Sequence, residues 1–320
     1  MVHAASTTQQ SELELALQQL DKHLSAVRAE GDDAESIESE RLAITLAAQL
    51  REQQQLRGYG SGKLAPKRDY TLADLRLNKI EPEQLLSPRD VTLEGVRNMA
   101  ILALALGVAA AATALHPSTE QLLAGGVALA FLAGIDQVGN NGALESVAVD
   151  ALGRVVSPTY STRVARHEAG HFLIAYLCGI LPRAYTLSAL DAFRRYRAGN
   201  VQAGTLFCDA AFRSEVASGR LTASSLDAFT CIALAGVASE YLAFGQAEGG
   251  VDDVRTLDSL LSACGFTQKR TDSEVRFAVL SVILLLKRQK AAHDALAEAM
   301  RQGRSVGDCI LEIERAFVAE

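Results

Sequence analysis

Residues 163–179 read RVARHEAGHFLIAYLCG, and the interpretation of the whole chain starts from this stretch. His167 and His171 are four positions apart, just over one helical turn, so both imidazoles project from the same helix face. The apolar run FLIAYL that follows predicts a buried helix. Unpaired imidazoles are costly to bury. A hydrogen-bonded core histidine would explain one of them, but it explains two with Glu168 between them poorly, so the spacing indicates a metal site.

The pattern H-E-x-x-H supplies two metal ligands and a base within one turn of helix. Peptide hydrolysis by zinc needs three protein ligands, an open fourth position and a base that takes a proton from the bound water. His167 and His171 are the predicted ligands, and Glu168 is the predicted catalytic base. The expected cofactor is Zn2+.

A third ligand has to come from further along the chain, and the residues leave several candidates open. Glu240, in the apolar stretch ALAGVASEYLAFG, can either bind the metal or hydrogen-bond a liganding histidine. Asp252 and Asp253 follow a glycine pair at a predicted helix start, where one can cap the helix while the other binds metal. His293 is set aside, because KRQKAAHDALAE has the composition of a solvated helix face.

Residues 157–320 are predicted to form a mostly helical domain with a small β element, so the fold class is mainly α. Two strand-like runs, at 184–190 and 203–209, flank a charged turn, DAFRRYRAGN. Helical segments are predicted at the ranges 163–179, 224–245, 252–265, 272–303 and 305–317.

Residues 1–57 are predicted to be a helical, coiled-coil-like region. An a/d seam recurs at steps of four and three, and a second helical stripe follows the interruption EGDDAES. The seam consists of Leu13, Leu17, Leu20, Leu24 and Val27, and the second stripe of Ile37, Ile44 and Leu50. Two interpretations remain open: a helical hairpin that packs on its own chain, or a coiled-coil contact through which the protein binds a partner or oligomerises.

Residues 58–97 are predicted to be a linker, followed by an apolar helical hairpin at 98–136. The linker contains GSGK, but a phosphate-binding loop requires glycine where Arg57 stands and serine or threonine where Leu64 stands. Residues 99–115 and 122–135 carry no charge, and basic residues lie on both outer flanks of the pair. These runs would be about 25 and 21 Å long, against a hydrocarbon core of roughly 30 Å. The two alternatives are a membrane hairpin with both ends on one side and a buried helix pair.

The bulk composition excludes some classes of function. The formal net charge of −7 and the absence of tryptophan argue against a nucleic-acid-binding protein. The five cysteines are odd in number and never occur as CxxC, which is typical of reduced thiols in an intracellular chain. The expected partners are therefore a protein substrate or partner protein and a membrane, not nucleic acid.

Three stretches together resemble the peptidase domain of the FtsH-type ATP-dependent zinc metalloproteases. They are HEAGH at 167–171, LAGVASEYLAFG at 234–245 and GGVDDV at 249–254. The resemblance implies that His167 and His171 bind zinc and that Glu168 is the base. It also implies that Asp253 is the third ligand, with Asp252 where the family has asparagine, and that Glu240 supports a liganding histidine.

The chain departs from the family in three ways. Val237 replaces the usual arginine, and Ser239 replaces one of two paired glutamates. The ATPase domain is missing, and the strand region around ALDAFRRYRAGNVQAG differs from the family's form. The C-terminal half is similar to small plant and algal chloroplast proteins described as FtsH-like or stress-regulated, which lack the motor domain. That similarity implies a chloroplast location, in a thylakoid or envelope membrane, and a transit peptide that is removed.

The function expected from these observations is an ATP-independent, membrane-associated zinc metalloendopeptidase that acts on unfolded or flexible protein segments. The alternative is a catalytically idle scaffold, assembly or stress-related factor that keeps the peptidase fold. A third interpretation, a metal-dependent amidase of small molecules, has no specific sequence feature in its favour.

Overall fold

The computed structural model describes residues 2–27, 34–89, 91–139, 143–196 and 204–319. Within these ranges the protein is mainly α, with sixteen helices and one two-stranded antiparallel sheet, so the predicted fold class is confirmed at that level. The helices are α1 (Val2–Ala26), α2 (Ala34–Glu52), α3 (Leu72–Leu77), α4 (Pro82–Leu86), α5 (Val91–Leu115), α6 (Thr119–Gly139), α7 (Ala143–Val156), α8 (Tyr160–Leu177), α9 (Ala189–Tyr196), α10 (Ala210–Ser218), α11 (Ala223–Ala233), α12 (Ala235–Phe244), α13 (Val251–Ala263), α14 (Gln268–Arg288), α15 (Lys290–Arg301) and α16 (Val306–Ala316). The strands are β1 (Pro182–Thr186) and β2 (Gly204–Phe207).

Three predictions of local structure need correction. The charged turn between the strands contains a helix, α9, while residues 197–200 of that turn lie outside the described residues. The long helices expected at 224–245 and 272–303 are each two helices, joined at Leu234 and at Gln289. Sequence periodicity missed both breaks because the apolar stripe continues across them.

The chain divides into two compact units. The first contains residues 1–89, 162–185 and 205–320, and the second contains residues 90–161 and 186–204. In the first unit, α14 packs against α11, α12, α13 and α15. Helix α8 is almost fully buried from Ala165 to its end at Leu177, as the run FLIAYL predicts.

The N-terminal helices of the first unit pack on their own chain. Helix α1 contacts both α2 and α16, and its seam residues Leu17, Leu20 and Leu24 are buried there. The carboxylate of Asp21 accepts a hydrogen bond from the backbone N–H of Gly307, at 2.8 Å, which ties α1 to the start of α16. The start of the predicted interruption, residues 30–33, lies outside the described residues. The seam therefore fills the core of the chain itself.

Residues 58–89, within the segment predicted as a linker, are packed into the first unit. Tyr59, Tyr70, Leu75, Ile80 and Leu85 are all buried. Helix α3 packs against α14 and helix α4 against α12, and the backbone carbonyl of Gln84 accepts a hydrogen bond from Ala247 N at 3.0 Å. This segment therefore supports the chain that leads from α12 into α13.

The second unit contains α5, α6, α7 and α9, and α7 packs against each of the other three. Most large apolar side chains of α5 and α6 are exposed: Ile101, Leu102, Leu104, Leu106, Val108, Leu115, Leu122, Leu123, Val127, Phe131 and Ile135. A Cβ added at Gly107, Gly125, Gly126 or Gly134 would meet no atom within 4 Å. Among the described residues, two segments are long and apolar enough to cross a membrane. They are α5, whose most apolar 18-residue stretch is not buried, and residues 223–244, which are mostly buried.

Candidate metal centre

Helix α8 places the two histidines on one buried face. The exposed fractions of His167 and His171 are 8% and 7%, and their Nε2 atoms are 3.0 Å apart. Their rings meet edge to face, with centroids 4.8 Å apart. This is the arrangement that the four-residue spacing predicts for a helix.

Asp253, in the first turn of α13, completes a group of three ligand atoms. Its Oδ2 atom lies 3.1 Å from His167 Nε2 and 3.4 Å from His171 Nε2. The three ligand atoms all lie within 4.8 Å of one another, so the group can hold a metal ion. Ligands at about 2.0–2.1 Å from a tetrahedrally coordinated ion are roughly 3.3 Å from each other, which matches the observed separations.

The other ring nitrogens of the histidines are already occupied. His167 Nδ1 is 2.8 Å from Glu240 Oε1, and His171 Nδ1 is 2.7 Å from the carbonyl oxygen of Ile232. A carboxylate and a carbonyl can only accept, so each Nδ1 carries the proton and donates it. When neither imidazole carries a second proton, both Nε2 lone pairs point at one another and at the Asp253 carboxylate. Three electron-pair donors with no proton between them fit a cation.

The charges around the histidines also favour a cation. The carboxylates of Glu168, Glu240 and Asp253 all interact with His167. Arg163 is the cation that contacts Glu240: its guanidinium bridges Glu240 Oε2 at 3.0 Å and Glu248 Oε1 at 3.1 Å. Arg163 also stacks over the ring of Phe244, at 4.2 Å from its centroid. Several carboxylates and one guanidinium leave an excess of negative charge, which a bound metal ion would reduce.

Burial and charge act in opposite directions on the pKa values of the three ligands. Burial alone would lower the pKa of His167, but hydrogen bonds to Asp253 and Glu240 raise it well above its ordinary value. Burial would likewise lower the pKa of His171, which Asp253 raises. For Asp253, burial would raise the pKa, and the two histidines hold it well below its ordinary range. The cluster therefore attracts positive charge, and a metal ion competes with protons for it.

The junction between α11 and α12 shapes the floor of the site. The break at Leu234 leaves the Ile232 carbonyl free to accept the bond from His171 Nδ1. Gly236 then passes directly under the imidazoles, because a Cβ there would lie 2.3 Å from His167 Nε2 and 2.5 Å from His171 Nε2. Gly170 on α8 allows the two helices to approach, since its Cβ would lie 2.6 Å from the Ala235 carbonyl oxygen. A larger residue would displace the imidazoles at Gly236, and at Gly170 it would require movement of the backbone.

A second glycine contact positions the third ligand. Gly250 precedes α13 with a φ of 89°, in the left-handed region that favours glycine. A Cβ at Gly250 would also lie 2.4 Å from Val237 Cγ1 and 3.1 Å from His167 Cε1. Gly250 is therefore required both for its backbone conformation and for its close approach to α12 and His167.

Glu168 follows His167 on α8 and is also buried. Its Oε2 accepts a hydrogen bond from the Thr205 hydroxyl on β2, at 2.9 Å. Burial raises the pKa of Glu168, against the opposite influence of the two histidines. A raised pKa makes a carboxylate a stronger proton acceptor, and this one lies next to a cluster that can hold a metal ion.

Glu240 and Asp252, the other two candidates for a third ligand, have different positions. Glu240 is not part of the three-atom group; its carboxylate contacts His167 Nδ1 and Arg163 and accepts the backbone N–H groups of Glu248 and Gly249. Asp252 pairs with Arg255 at 3.0 Å, and 59% of its side chain is exposed. Neither Asp252 nor Asp253 is the N-cap of α13, which is Gly250. The structure thus brings together His167, His171 and Asp253, while the metal's identity and each residue's role remain predictions.

Sequence reasoning misplaced one histidine and missed several supporting groups. His293 is buried rather than solvated: its Nε2 donates to the Arg166 carbonyl at 3.0 Å, and burial lowers its pKa to about 4. Arg163 could have been found from the sequence, because it precedes His167 by one helical turn. The Ile232 carbonyl and Thr205 carry no sequence signal, since their roles arise from a helix break and from strand placement.

Comparison with known proteins assigns neither a family nor a function to the chain. No protein-family model, no curated protein and no solved structure matches the chain.

Proposed function

We propose that this protein is a zinc-dependent endopeptidase that works without an ATPase motor. The observation that carries the proposal is the convergence of His167 Nε2, His171 Nε2 and Asp253 Oδ2, with Glu168 adjacent on the same helix. Two imidazoles and a carboxylate are a donor set that zinc accepts in hydrolases. The resemblance of the three quoted motifs to FtsH-type peptidase domains supports the same choice of metal and reaction.

The contacts of each residue indicate its role in the proposed reaction. His167, His171 and Asp253 would hold the ion, while Glu240 and the Ile232 carbonyl orient the two imidazoles through their Nδ1 protons. Bound zinc supplies a Lewis acid that polarises a carbonyl group and lowers the pKa of water. Glu168 would accept a proton on its carboxylate and return it to the leaving amine. The Thr205 hydroxyl keeps that carboxylate in place.

The substrate class follows from the burial of the site and from the sheet beside it. The sheet has two strands in the described part of the chain, so β2 pairs with β1 on one edge only. An extended peptide can add to the other edge through main-chain hydrogen bonds. The cluster is too buried to receive a folded surface. Unfolded or flexible segments are therefore the proposed substrates.

Membrane association is the second part of the proposal. Helix α5 has the length and composition of a membrane span and is not buried, and most large apolar side chains of α6 are exposed as well. Lipid would cover these side chains, which in water would form an unusually large exposed apolar patch. The resemblance to chloroplast proteins without the motor domain implies that this membrane is in a plastid. That location is supported by the resemblance alone.

Metal content and proteolysis test the enzymatic part. Purified full-length protein should contain about one zinc per chain and cleave an unfolded protein such as reduced casein. Glu168→Gln should keep the zinc and lose cleavage, because the amide cannot accept the proton. The control is Glu83→Gln, whose side chain is 68% exposed and pairs with Arg76, and which should retain full activity. Cleavage by Glu168→Gln at the wild-type rate would exclude Glu168 as the base.

A catalytically idle scaffold is the second candidate, and the burial of Glu168 favours it. Only 5% of this side chain is exposed, and the Thr205 hydroxyl already occupies one of its carboxylate oxygens. In a scaffold the metal would only stabilise the packing of α8, α12 and α13. Zinc that raises the unfolding temperature without cleavage of any unfolded protein, in wild type and in Thr205→Val alike, would favour this function.

A further inference from the structure

The second unit has exposed apolar side chains outside α5 and α6. On α9, Leu190 and Phe193 are 37% and 45% exposed, although Ala189 and Ala192 are buried. Arg194 is also exposed. Positions 190, 193 and 194 share one face of a helix, since they are spaced three and four apart. Asp191 is also exposed and, three positions before Arg194, lies about 60° from it around the helix axis, so it borders the basic end of this face. Helix α9 therefore presents a face that combines apolar and basic side chains.

Helix α7 has a similar unpartnered face near its C-terminal end. Leu152, Val155 and Val156 follow the same spacing, and their exposed fractions are 41%, 84% and 51%. At 14 residues, α7 would be about 21 Å long, too short for a hydrocarbon core of roughly 30 Å. It also carries Glu145, Asp150 and Arg154. A span across the bilayer is therefore excluded for α7, and for the still shorter α9.

Polar contacts hold α9 on α7. The Asp150 carboxylate accepts a hydrogen bond from the backbone N–H of Ala189, at 3.2 Å, and pairs with Arg154 at 3.1 Å. Arg154 also donates to the carbonyl of Leu187, just before α9. The start of α9 is thus fixed to the helix that also packs on α5 and α6. The amphipathic face of α9 belongs to the same unit as the proposed membrane helices.

We infer that α9, together with the exposed end of α7, lies in the headgroup region of an anionic membrane. The pattern fits an interfacial helix: Leu190 and Phe193 would enter the acyl boundary, and Arg194 would meet lipid phosphate. Lipid is the occupant chosen because the face is basic as well as apolar and because α7 joins it to the apolar helices. The inference rests on the membrane part of the proposed function, but it makes a separate claim about α9.

The absence of tryptophan from the chain permits a clean experiment. Single tryptophans would be introduced into full-length protein reconstituted in phosphatidylcholine vesicles, with and without phosphatidylglycerol. Phe193→Trp reports on α9 and Leu104→Trp reports on α5. Leu77→Trp is the control, because Leu77 lies in the first unit and is 83% exposed. Emission maxima and quenching by lipids brominated near the headgroup or deep in the acyl chains would be measured.

Phe193→Trp should shift its emission to shorter wavelength and lose most of its fluorescence to shallow bromolipid when phosphatidylglycerol is present. Adding Arg194→Glu should reverse most of that quenching. Leu104→Trp should respond to deep bromolipid, and Leu77→Trp to neither. If Phe193→Trp stays water-exposed while Leu104→Trp is quenched, the inference about α9 is wrong and membrane insertion of α5 stands.

Two further outcomes separate the claims. If Leu104→Trp is not quenched but Phe193→Trp is, the interfacial helix stands and the membrane-spanning role of α5 fails. A blue shift of Phe193→Trp that depends on protein concentration, without quenching by bromolipid, would show that a second copy of the chain covers this face. That result would overturn the assignment to lipid.

Discussion

Residues 91–115 and 223–244 are similar in length and apolar composition, but the structure exposes the first segment and buries most of the second. Both are long and apolar enough to cross a membrane, with mean hydropathies of 2.0 and 1.3. The most apolar 18 residues of the first are fully unburied, whereas 61% of the corresponding stretch of the second is buried. One is helix α5 of the second unit, and the other comprises α11 and α12 of the first unit.

The difference lies in the contacts that each segment makes. Residues 223–244 are interrupted at Leu234, carry the buried carboxylate of Glu240 and bring Gly236 against two imidazoles. Helix α5 is unbroken from residue 91 to 115, and its Gly107 faces open space. An apolar sequence that also contains a charged side chain and a close-contact glycine is therefore typical of a core built around a site. Helix α5 carries its two charged side chains, Glu94 and Arg97, near its start, and the uncharged run 99–115 is typical of a surface that needs an apolar solvent.

The largest difference between the two segments is expected when a methyl group is added to one glycine in each. Gly236→Ala places a Cβ 2.3 Å from His167 Nε2, so the metal site should be lost and stability should fall by roughly 3 kcal/mol. Gly107→Ala in α5 meets nothing and should be neutral or slightly stabilising. Metal content and urea unfolding check both variants. Full zinc content in Gly236→Ala would disprove the close contact.

The loss of folding stability at acidic pH should depend on a buried histidine, His293, and not on an exposed one. The pKa of His293 is about 4 in the folded protein, against an ordinary value of 6.5. Because the folded pKa is the lower one, the unfolded chain takes up the proton first. Stability is then complete above pH 6.5 and lost as the pH falls towards 4, by up to about 3 kcal/mol.

The test is His293→Gln, which should flatten the loss of stability between pH 6.5 and 4, measured by urea unfolding with a chelator present. His116→Gln is the control, since His116 is exposed in the turn between α5 and α6. An unchanged pH profile in His293→Gln would mean that this histidine is not the group that resists protonation.

A smaller effect is expected when Arg163, whose guanidinium pairs with Glu240, is replaced. Arg163→Met leaves Glu240 and Glu248 without their shared partner, so the orientation of His167 loosens and zinc affinity should fall by about 10–100-fold. Arg163→Lys should restore part of it. Arg166→Met on the same helix removes only the pair with Asp294 and should bind zinc normally. Competition with a chromophoric chelator measures the affinities; equal values for both methionine variants would exclude a positioning role for Arg163.

The smallest effect is expected at Asp252. Its exposed pair with Arg255 should contribute no more than about 0.5 kcal/mol, so Asp252→Asn should leave zinc affinity and the unfolding temperature nearly unchanged. Asp253→Asn, one residue later, should lose most of the zinc affinity. Similar zinc affinities for these two variants would contradict the placement of Asp253 as the third ligand.

The local parts of the site could be predicted from the sequence. A spacing of four residues puts His167 and His171 on one side of any α-helix, whatever surrounds it. The glycine pair before Asp253 likewise indicated a close approach of the backbone, and the structure brings the Asp253 carboxylate to the histidines. The mainly helical class followed from periodicity, because helix repeats persist over many residues.

Long-range contacts could not be predicted in the same way. The partners of the histidines lie far along the chain: Ile232 is 61 residues from His171, and Glu240 and Asp253 are 73 and 86 residues from His167. Which acceptor reaches an Nδ1 proton depends on the break at Leu234, which apolar periodicity does not reveal. His293 was misjudged for the same reason, because its burial comes from packing on another helix and not from its own charged neighbours.

The sequence by itself determined the helical elements and the direction in which the histidines project, since both depend on a few consecutive backbone angles. Only the tertiary structure decided which apolar helix is buried and which carbonyl and carboxylates receive the histidine protons. Burial is a property of what packs against a residue, and residues 91–115 and 223–244 carry too similar a pattern to show that difference alone.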